Sequence, residues 1–162
     1  LMLPFVRTVE EFSFCRRKVE QAGLTDIKEF ELWIMAEVPS VLFLLPEYVK
    51  AGVQGISIGT NDLTQLLLGV DRDRAILAKS FDERHPVVMG AMSRLINMAK
   101  EAGIPCSICG QAPALYPEII DKLVEWGITS ISVEPEALHR TYQAIYRAEQ
   151  SLLLQAERRQ LQ

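Results

Sequence analysis

Polar side chains of the kinds that do chemistry stand directly after apolar runs that are typical of buried strands. Glu37 follows the run at residues 32–36, and Asn61 and Asp62 follow the short run at residues 55–58. Because ligands bind at the carboxyl ends of parallel strands in α/β proteins, we expect these side chains to share one rim of the fold. Two carboxylates and an amide form a suitable oxygen shell for Mg²⁺, which is usually held by a few carboxylates, substrate oxygens and water.

Two further residues belong to the same predicted rim. Arg72 lies in the loop after a predicted helix that carries Asp62 in its first turn, and Cys109 ends a later apolar run with Gln111 close behind. A thiol at the end of a strand is a candidate acid/base or nucleophile. The spacing alone leaves simpler interpretations open: Glu37 and Arg72 as solvated surface charges, Asp62 as a helix-capping group and Cys109 as an inert buried thiol.

The segment Cys106-Ser107-Ile108-Cys109 has the CxxC spacing of zinc and dithiol sites. In an extended strand, residues three apart point to opposite faces, so the two thiols should diverge. No second CxxC and no nearby pair of histidines completes a zinc set. We therefore interpret His85 and His139, which fall near predicted helix starts, as structural residues, and the CxxC spacing as incidental.

Composition limits the class of protein. The 162 residues are 49% hydrophobic, which suits one domain with a substantial core. Net charge is −4 and the basic residues are dispersed, so nucleic acid and anionic membranes are not expected partners. The longest apolar run is far shorter than the roughly 20 residues that span a bilayer, and no secretory signal is evident. These features predict a cytoplasmic protein with reduced cysteines.

A repeated junction indicates the fold. Four predicted helices end in glycine directly before an extended segment, as in the joint of a repeated βα unit. The sequence predicts five strands and about five helices in one domain over residues 1–147, followed by a polar helical tail over residues 148–162. The pattern leaves open a doubly wound sheet and the later part of an eight-stranded barrel. The junction glycines are Gly23, Gly52, Gly103 and Gly127.

Four stretches of the sequence resemble the carboxyl-terminal substrate domain of the phosphoenolpyruvate-utilising enzymes. They read MAEVPS, SIGTNDLTQLLLGVDRD, FDERHP and ICGQAPALYPE, and the resemblance extends over essentially residues 1–147. It implies an α/β fold, the carboxyl-terminal five or so βα units of a (β/α)₈ barrel. It also implies that phosphoenolpyruvate and pyruvate bind at the barrel rim together with Mg²⁺.

The same resemblance implies a role for each residue of the predicted rim. Glu37 and Asp62 match the metal ligands of the family, and Asn61 matches an amide that contacts the substrate. Arg72 matches an arginine that faces the phosphoryl group. Cys109 matches the acid/base that serves the methylene carbon of phosphoenolpyruvate.

The wording GQAP after Cys109 favours one branch of the family. Whole enzymes of that branch convert ATP, pyruvate and water to AMP, phosphoenolpyruvate and phosphate through a phosphohistidine on a swivelling domain. The resemblance thus implies two partners, an ATP-binding domain and a phosphohistidine domain, neither of which this sequence contains. Because the opening LMLPF resembles the fourth barrel strand, we expect that this chain alone does not complete the reaction.

Two other functions are open at this point. The chain could be a non-catalytic interaction module, since a barrel sector has open strand edges that a partner or a second copy would cover. It could also be a pyruvate-class lyase or aldolase that uses the same metal shell.

Overall fold

A computed structural model of the chain describes residues 1–71, 74 and 80–160, and within them five β-strands form one parallel sheet. Arg72 lies outside the described residues. The strands are β1 (Met2–Leu3), β2 (Trp33–Ala36), β3 (Gly55–Gly59), β4 (Cys106–Cys109) and β5 (Ser130–Ile131).

Helices connect the strands. Short 3₁₀ turns at Leu24–Asp26 and Pro135–Ala137 precede β2 and the last helix. The helices are α1 (Val9–Gln21), α2 (Val41–Lys50), α3 (Thr60–Leu68), α4 (Pro86–Glu101), α5 (Ala112–Leu115), α6 (Pro117–Trp126) and α7 (Leu138–Gln160).

The order of the strands in the sheet decides between the two predicted architectures. Neighbours in the sheet are neighbours in the sequence, β1-β2-β3-β4-β5, and every pair is parallel. A doubly wound sheet would reverse its order at a switch point. The sequential order is that of a sector of a (β/α)₈ barrel, in which each strand adds to the same edge.

The two faces of the sheet differ in character. One face carries fully buried aliphatic side chains that pack under the helices and form the core of the domain. The other face carries small, polar or half-buried residues and corresponds to the inside of a barrel. The first set includes Ile34, Ala36, Ile56, Ile58 and Ile108, and the second includes Met35, Ser57, Gly59, Ser107 and Cys109.

The predicted junction glycines adopt the left-handed backbone that ends a helix. Gly23, Gly52, Gly103 and Gly127 have φ angles of +73°, +106°, +68° and +88°. These conformations are costly for any residue with a Cβ, so glycine at this point of each repeat has a physical reason. The predicted βα joints are confirmed at Gly52, Gly103 and Gly127, each of which lies three residues before a strand. Gly23 ends α1 as predicted, but a 3₁₀ turn follows it and β2 begins only at Trp33.

The outer strands are shorter and more exposed than predicted. LMLPF was expected to be a buried strand, but Leu1, Met2 and Phe5 are 57%, 39% and 46% exposed. Only Met2–Leu3 pairs with β2, because β1 is at one end of the strand order and Pro4 has no N–H to donate. At the other end, the apolar character of residues 128–133 predicts a six-residue strand, but β5 covers only Ser130–Ile131.

The last helix runs without interruption from Leu138 to Gln160. Its buried positions include Ala144 and Ala148, and most side chains beyond these are exposed. The division into a domain at 1–147 and a tail at 148–162 stays a prediction. No helix among residues 1–71 and 80–160 combines the length and apolar character needed to cross a membrane.

Candidate active site

The carboxyl ends of three neighbouring strands bring Glu37, Gly59 and Cys109 into one row. Gly59 of β3 pairs in register with Cys109 of β4. On the other side of β3, Ile58 pairs with Ala36, so the next residue of that strand, Glu37, stands beside Gly59. A carboxylate and a thiol that are 72 positions apart in the sequence therefore flank a residue without a side chain.

The space left by Gly59 is filled by Glu37. A Cβ atom built on Gly59 would lie 2.7 Å from Glu37 Oε2 and 2.9 Å from Met35 Cε. Both distances are shorter than real Cβ contacts allow. Gly59 has φ −91°, which any residue can adopt, so the requirement for glycine here is one of space.

Glu37 is held in place by the backbone at the end of β1. The side chain is only 5% exposed, and Oε1 accepts a hydrogen bond of 2.8 Å from the Phe5 N–H. Phe5 has φ +52° and is the one non-glycine residue with positive φ in the described chain. This sparsely populated conformation aims the Phe5 N–H at the carboxylate, and local strain of this kind concentrates at functional sites.

The electrostatics of Glu37 link it to Asp62. Burial is the main cause that raises the pKa of the Glu37 carboxyl, and the Phe5 N–H lowers that pKa in part. The negative charge of Asp62 raises the pKa of Glu37 further, so the two carboxylates are close enough to repel each other. A cation between them would relieve both the repulsion and the cost of burying the charge.

Helix α3 presents the next two predicted residues. Asp62 lies in the first turn of α3, as the sequence predicts, and Asn61 is beside it in the same turn, directly after Gly59. Both residues are half-buried. A carboxylate in the first turn is stabilised by the helix dipole. Asn61 Oδ1 is buried and has no hydrogen-bond partner among the described residues.

Cys109 lines a pocket on the other side of Gly59. Its side chain is half-buried, and its Sγ accepts a hydrogen bond of 3.7 Å from Ser57 Oγ. The pocket has a volume of about 490 Å³ and includes Asn61. Its remaining lining residues are Gly110, Gln111, Ala114, Leu115, Ser132, Val133, Glu134 and Arg140.

The other thiol of the CxxC segment lies apart from this pocket. Cys106 is 2% exposed, and burial raises its pKa to about 12. The two thiols lie on opposite faces of β4, so the prediction that they diverge is confirmed. His85 accepts a hydrogen bond from the Val87 N–H at the start of α4, which is the structural role expected for it.

Two observations indicate that the residues at this rim suit a magnesium ion. Glu37 and Asp62 are neighbouring carboxylates, and Asn61 offers a buried oxygen that nothing in the described chain satisfies. Within the same residues no group of three or more His, Cys, Asp or Glu side chains could hold a metal alone. Mg²⁺ suits such a sparse site, because it commonly takes one or two carboxylates and completes its shell with substrate and water.

Sequence reasoning missed three contributors to the site: Phe5, Ser57 and Gly59. Alternation along β3 is the signal that could have identified two of them, because Ile56 and Ile58 face the core and their neighbours must face the other side. No sequence signal marks Phe5, since its role depends on a backbone N–H in an irregular segment.

The family model of the PEP-utilising enzyme, PEP-binding domain matches residues 1–150. The chain belongs to this family. The phosphoenolpyruvate synthase of Aeropyrum pernix is 47% identical over 157 residues, which make up 96% of this chain and 19% of that protein. This PEP-binding domain chain thus spans about a fifth of the length of that relative.

Solved structures confirm the fold prediction for this member of the PEP-binding domain family. A citrate lyase from Burkholderia xenovorans has a TM-score of 0.62 at 18% identity, with 98% of this chain and 54% of that chain covered. Protein CitE from Mycobacterium tuberculosis, in complex with magnesium and pyruvate, has a TM-score of 0.58 at 17% identity, with 89% and 56% covered. At these identities the likeness establishes a barrel-type α/β fold.

The contact between Gly59 and Glu37 predicts opposite effects for two glycine substitutions. Gly59→Ala should lower the free energy of unfolding by about 1–3 kcal/mol, because the new methyl group overpacks against Glu37 and Met35. Gly90→Ala, in the exposed interior of α4 with nothing within 4 Å, should raise it by about 0.5–1 kcal/mol. Urea denaturation measures both, and equal effects for the two variants would contradict the contact.

Burial of Cys106 predicts which thiol resists alkylation. At pH 8 this thiol should stay neutral and unmodified by iodoacetamide, because its pKa is raised to about 12 and the nucleophile is the thiolate. Half-buried Cys109 should react faster than Cys106. Peptide mass spectrometry reports each site, and equal labelling of all three cysteines in denaturant is the control. Preferential labelling of Cys106 in the native protein would contradict its placement.

Proposed function

We propose that this chain is the pyruvate- and phosphoenolpyruvate-binding part of a phosphoenolpyruvate synthase, and that it moves the proton at the methyl carbon of pyruvate. The observation that carries the proposal is the row of Glu37, Gly59 and Cys109, with Asp62 close to Glu37. This row brings a candidate ion site at Glu37 and a candidate acid/base at Cys109 to the ends of neighbouring strands, where one substrate molecule would contact both.

Glu37 and Asp62 would hold Mg²⁺ together with oxygens of the substrate, and the Asn61 amide would contact the substrate beside them. Bound there, the ion supplies positive charge that favours negative charge on a neighbouring pyruvate oxygen. Glu37 contributes a buried, fixed carboxylate, since the Phe5 N–H occupies Oε1 and Oε2 lies beside Gly59. Asp62 contributes a carboxylate fixed by the first turn of α3.

Cys109 is the proposed acid/base. As a thiolate it accepts a proton from the methyl group of pyruvate, and as a thiol it returns a proton to the methylene carbon of phosphoenolpyruvate. Its half-buried position on the pocket suits this role, because the sulfur is open to the substrate and partly shielded from water. Arg72 is proposed to face the phosphoryl group on the basis of its sequence motif alone.

The whole reaction needs parts beyond this chain. We propose an ATP-binding domain and a phosphohistidine domain as its partners, because it covers 19% of the length of its Aeropyrum relative. Transfer between pyruvate and the phosphohistidine would occur at the rim described here.

A second candidate function is an interaction module, and the exposed edge at β1 favours it. Leu1, Met2 and Phe5 are exposed, and an apolar pocket of about 520 Å³ lies between the end of β1 and α1. Association with a second copy is one use for this edge. A lyase or aldolase function has less support, since the likeness to the citrate lyase structure is 18% identical against 47% for the synthase.

Exchange of the methyl protons of pyruvate tests the proposal without the partner domains. In D₂O with Mg²⁺, the chain should incorporate deuterium into pyruvate, and proton NMR should follow the loss of the methyl signal. Cys109→Ala should lower the exchange rate by about 100-fold or more, since a positioned acid/base contributes roughly that factor. Binding of oxalate, a planar analogue of the pyruvate enolate, should require Mg²⁺ and persist in this variant.

Cys15→Ser is the matched control, because Cys15 is a half-buried thiol on α1 that does not line the pocket of Cys109. It should leave exchange unchanged. A chain that binds neither Mg²⁺ nor oxalate, or a Cys109→Ala variant with full exchange, would contradict the proposed function. Light scattering that shows an oligomer with no response to either ligand would favour the interaction module.

A further inference from the structure

We propose that Ser57 is a positioning residue that orients the Cys109 thiol toward the substrate side of the pocket. The contact itself is independent of any activity, whereas its catalytic consequence rests on the proposed function of Cys109. Ser57 Oγ donates a hydrogen bond of 3.7 Å to Cys109 Sγ.

Ser57 is built to hold a fixed position. It lies in the middle of β3, the central strand, which is paired on both sides, and it is 3% exposed. Its side chain is on the barrel-interior face, the same face as Gly59 and Cys109. A donor on a central strand loses little additional freedom when it makes this bond, so the contact can restrain the sulfur at low entropic cost.

Among the described residues, the bond from Ser57 is the one side-chain hydrogen bond to the Cys109 thiol. Its cross-strand neighbour is Gly59, which has no side chain to pack against the thiol. The residue after it, Gly110, leaves the strand with φ +103° and lies against Thr60 Oγ1. A cysteine side chain has three staggered rotamers, and the Ser57 hydroxyl favours the one that brings Sγ within its reach.

The proposal predicts a selective loss of rate. Ser57→Ala should lower pyruvate methyl exchange roughly 3- to 10-fold, the factor expected for one hydrogen bond, and leave the Kd of oxalate with Mg²⁺ unchanged. Ser57→Thr, which keeps the hydroxyl on a β-branched side chain suited to a strand, should restore most of the rate. In a Cys109→Ala background, Ser57→Ala should have no further effect, because there is no thiol left to orient.

The matched control is Ser107→Ala. Ser107 is the in-register neighbour of Ser57 on β4 and is 6% exposed, and among the described residues its hydroxyl makes no hydrogen bond to the Cys109 thiol. It should leave both the exchange rate and oxalate binding as in the parent chain. A similar loss of exchange in both serine variants would show a general effect of altering this face and would overturn the proposal.

Alkylation of Cys109 tests the contact without any catalytic activity. In a Cys15→Ser background at pH 8, Ser57→Ala should slow modification of Cys109 by iodoacetamide by roughly threefold or more, because the sulfur is then no longer held in the rotamer that faces the pocket. Ser57→Thr should keep the parent rate. Circular dichroism of each variant verifies the fold. If Ser57→Ala does not fold, Ser57→Val serves as the test, because it has the shape of Ser57→Thr without the hydroxyl and should show the slower rate.

Proton exchange and alkylation together distinguish failure of the proposed function from failure of the positioning role of Ser57. If the parent chain does not exchange pyruvate protons but Ser57→Ala slows alkylation, the positioning contact holds and the proposed function fails. If the parent chain exchanges protons but Ser57→Ala changes neither exchange nor alkylation, the proposed function stands and the role of Ser57 is wrong. An equal loss of exchange with and without Cys109, or weaker oxalate binding, would also overturn that role.

Discussion

The candidate site depends on the register of three parallel strands. That register places Gly59 between Glu37 and Cys109, and glycine is the one residue type that leaves room there for the Glu37 carboxylate. The Glu37 carboxylate and the Cys109 thiol thus lie on either side of Gly59 at the carboxyl end of the sheet. If β3 were shifted by one residue, the Ile58 side chain would lie between them and the Ser57 hydroxyl would point into the core.

The same constraint explains the charge arrangement. Glu37 is buried and fixed by the Phe5 N–H, and the neighbouring charge of Asp62 adds to the cost of its ionised form. Buried like charges persist in proteins when something compensates them. An ion of two positive charges that also binds the substrate would provide that compensation. The pair of carboxylates is therefore unfavourable in the free chain but suited to a chain that has bound the ion and the substrate.

The sequence predicted the parts of this structure that follow from local pattern. Left-handed glycines such as Gly103 marked the βα joints, and the ends of apolar runs located Glu37 and Cys109 at one rim. The prediction made the outer strands too long. The apolar composition of residues 1–5 predicts a buried strand, but it does not show that this strand lies at the edge of the sheet and is exposed. The choice between a doubly wound sheet and a barrel sector also needed the strand order, which no local pattern encodes.

The contacts that complete the site could not be predicted in the same way. Phe5 contributes a backbone N–H from a left-handed residue, and Ser57 contributes a hydroxyl across two strands, so both depend on register and not on residue type. The assignment of Mg²⁺ and of the acid/base role came from family motifs, and the geometry of Glu37, Asp62 and Cys109 is compatible with it.

A crystal structure of the chain grown with Mg²⁺ and oxalate would show whether Glu37, Asp62 and Cys109 act on one ligand. We expect one ion that binds the Glu37 and Asp62 carboxylates and the oxalate oxygens, with the Cys109 thiol facing the oxalate from the other side of Gly59. An ion bound elsewhere, carboxylates that bind nothing, or a Cys109 side chain turned away from the ligand would contradict it.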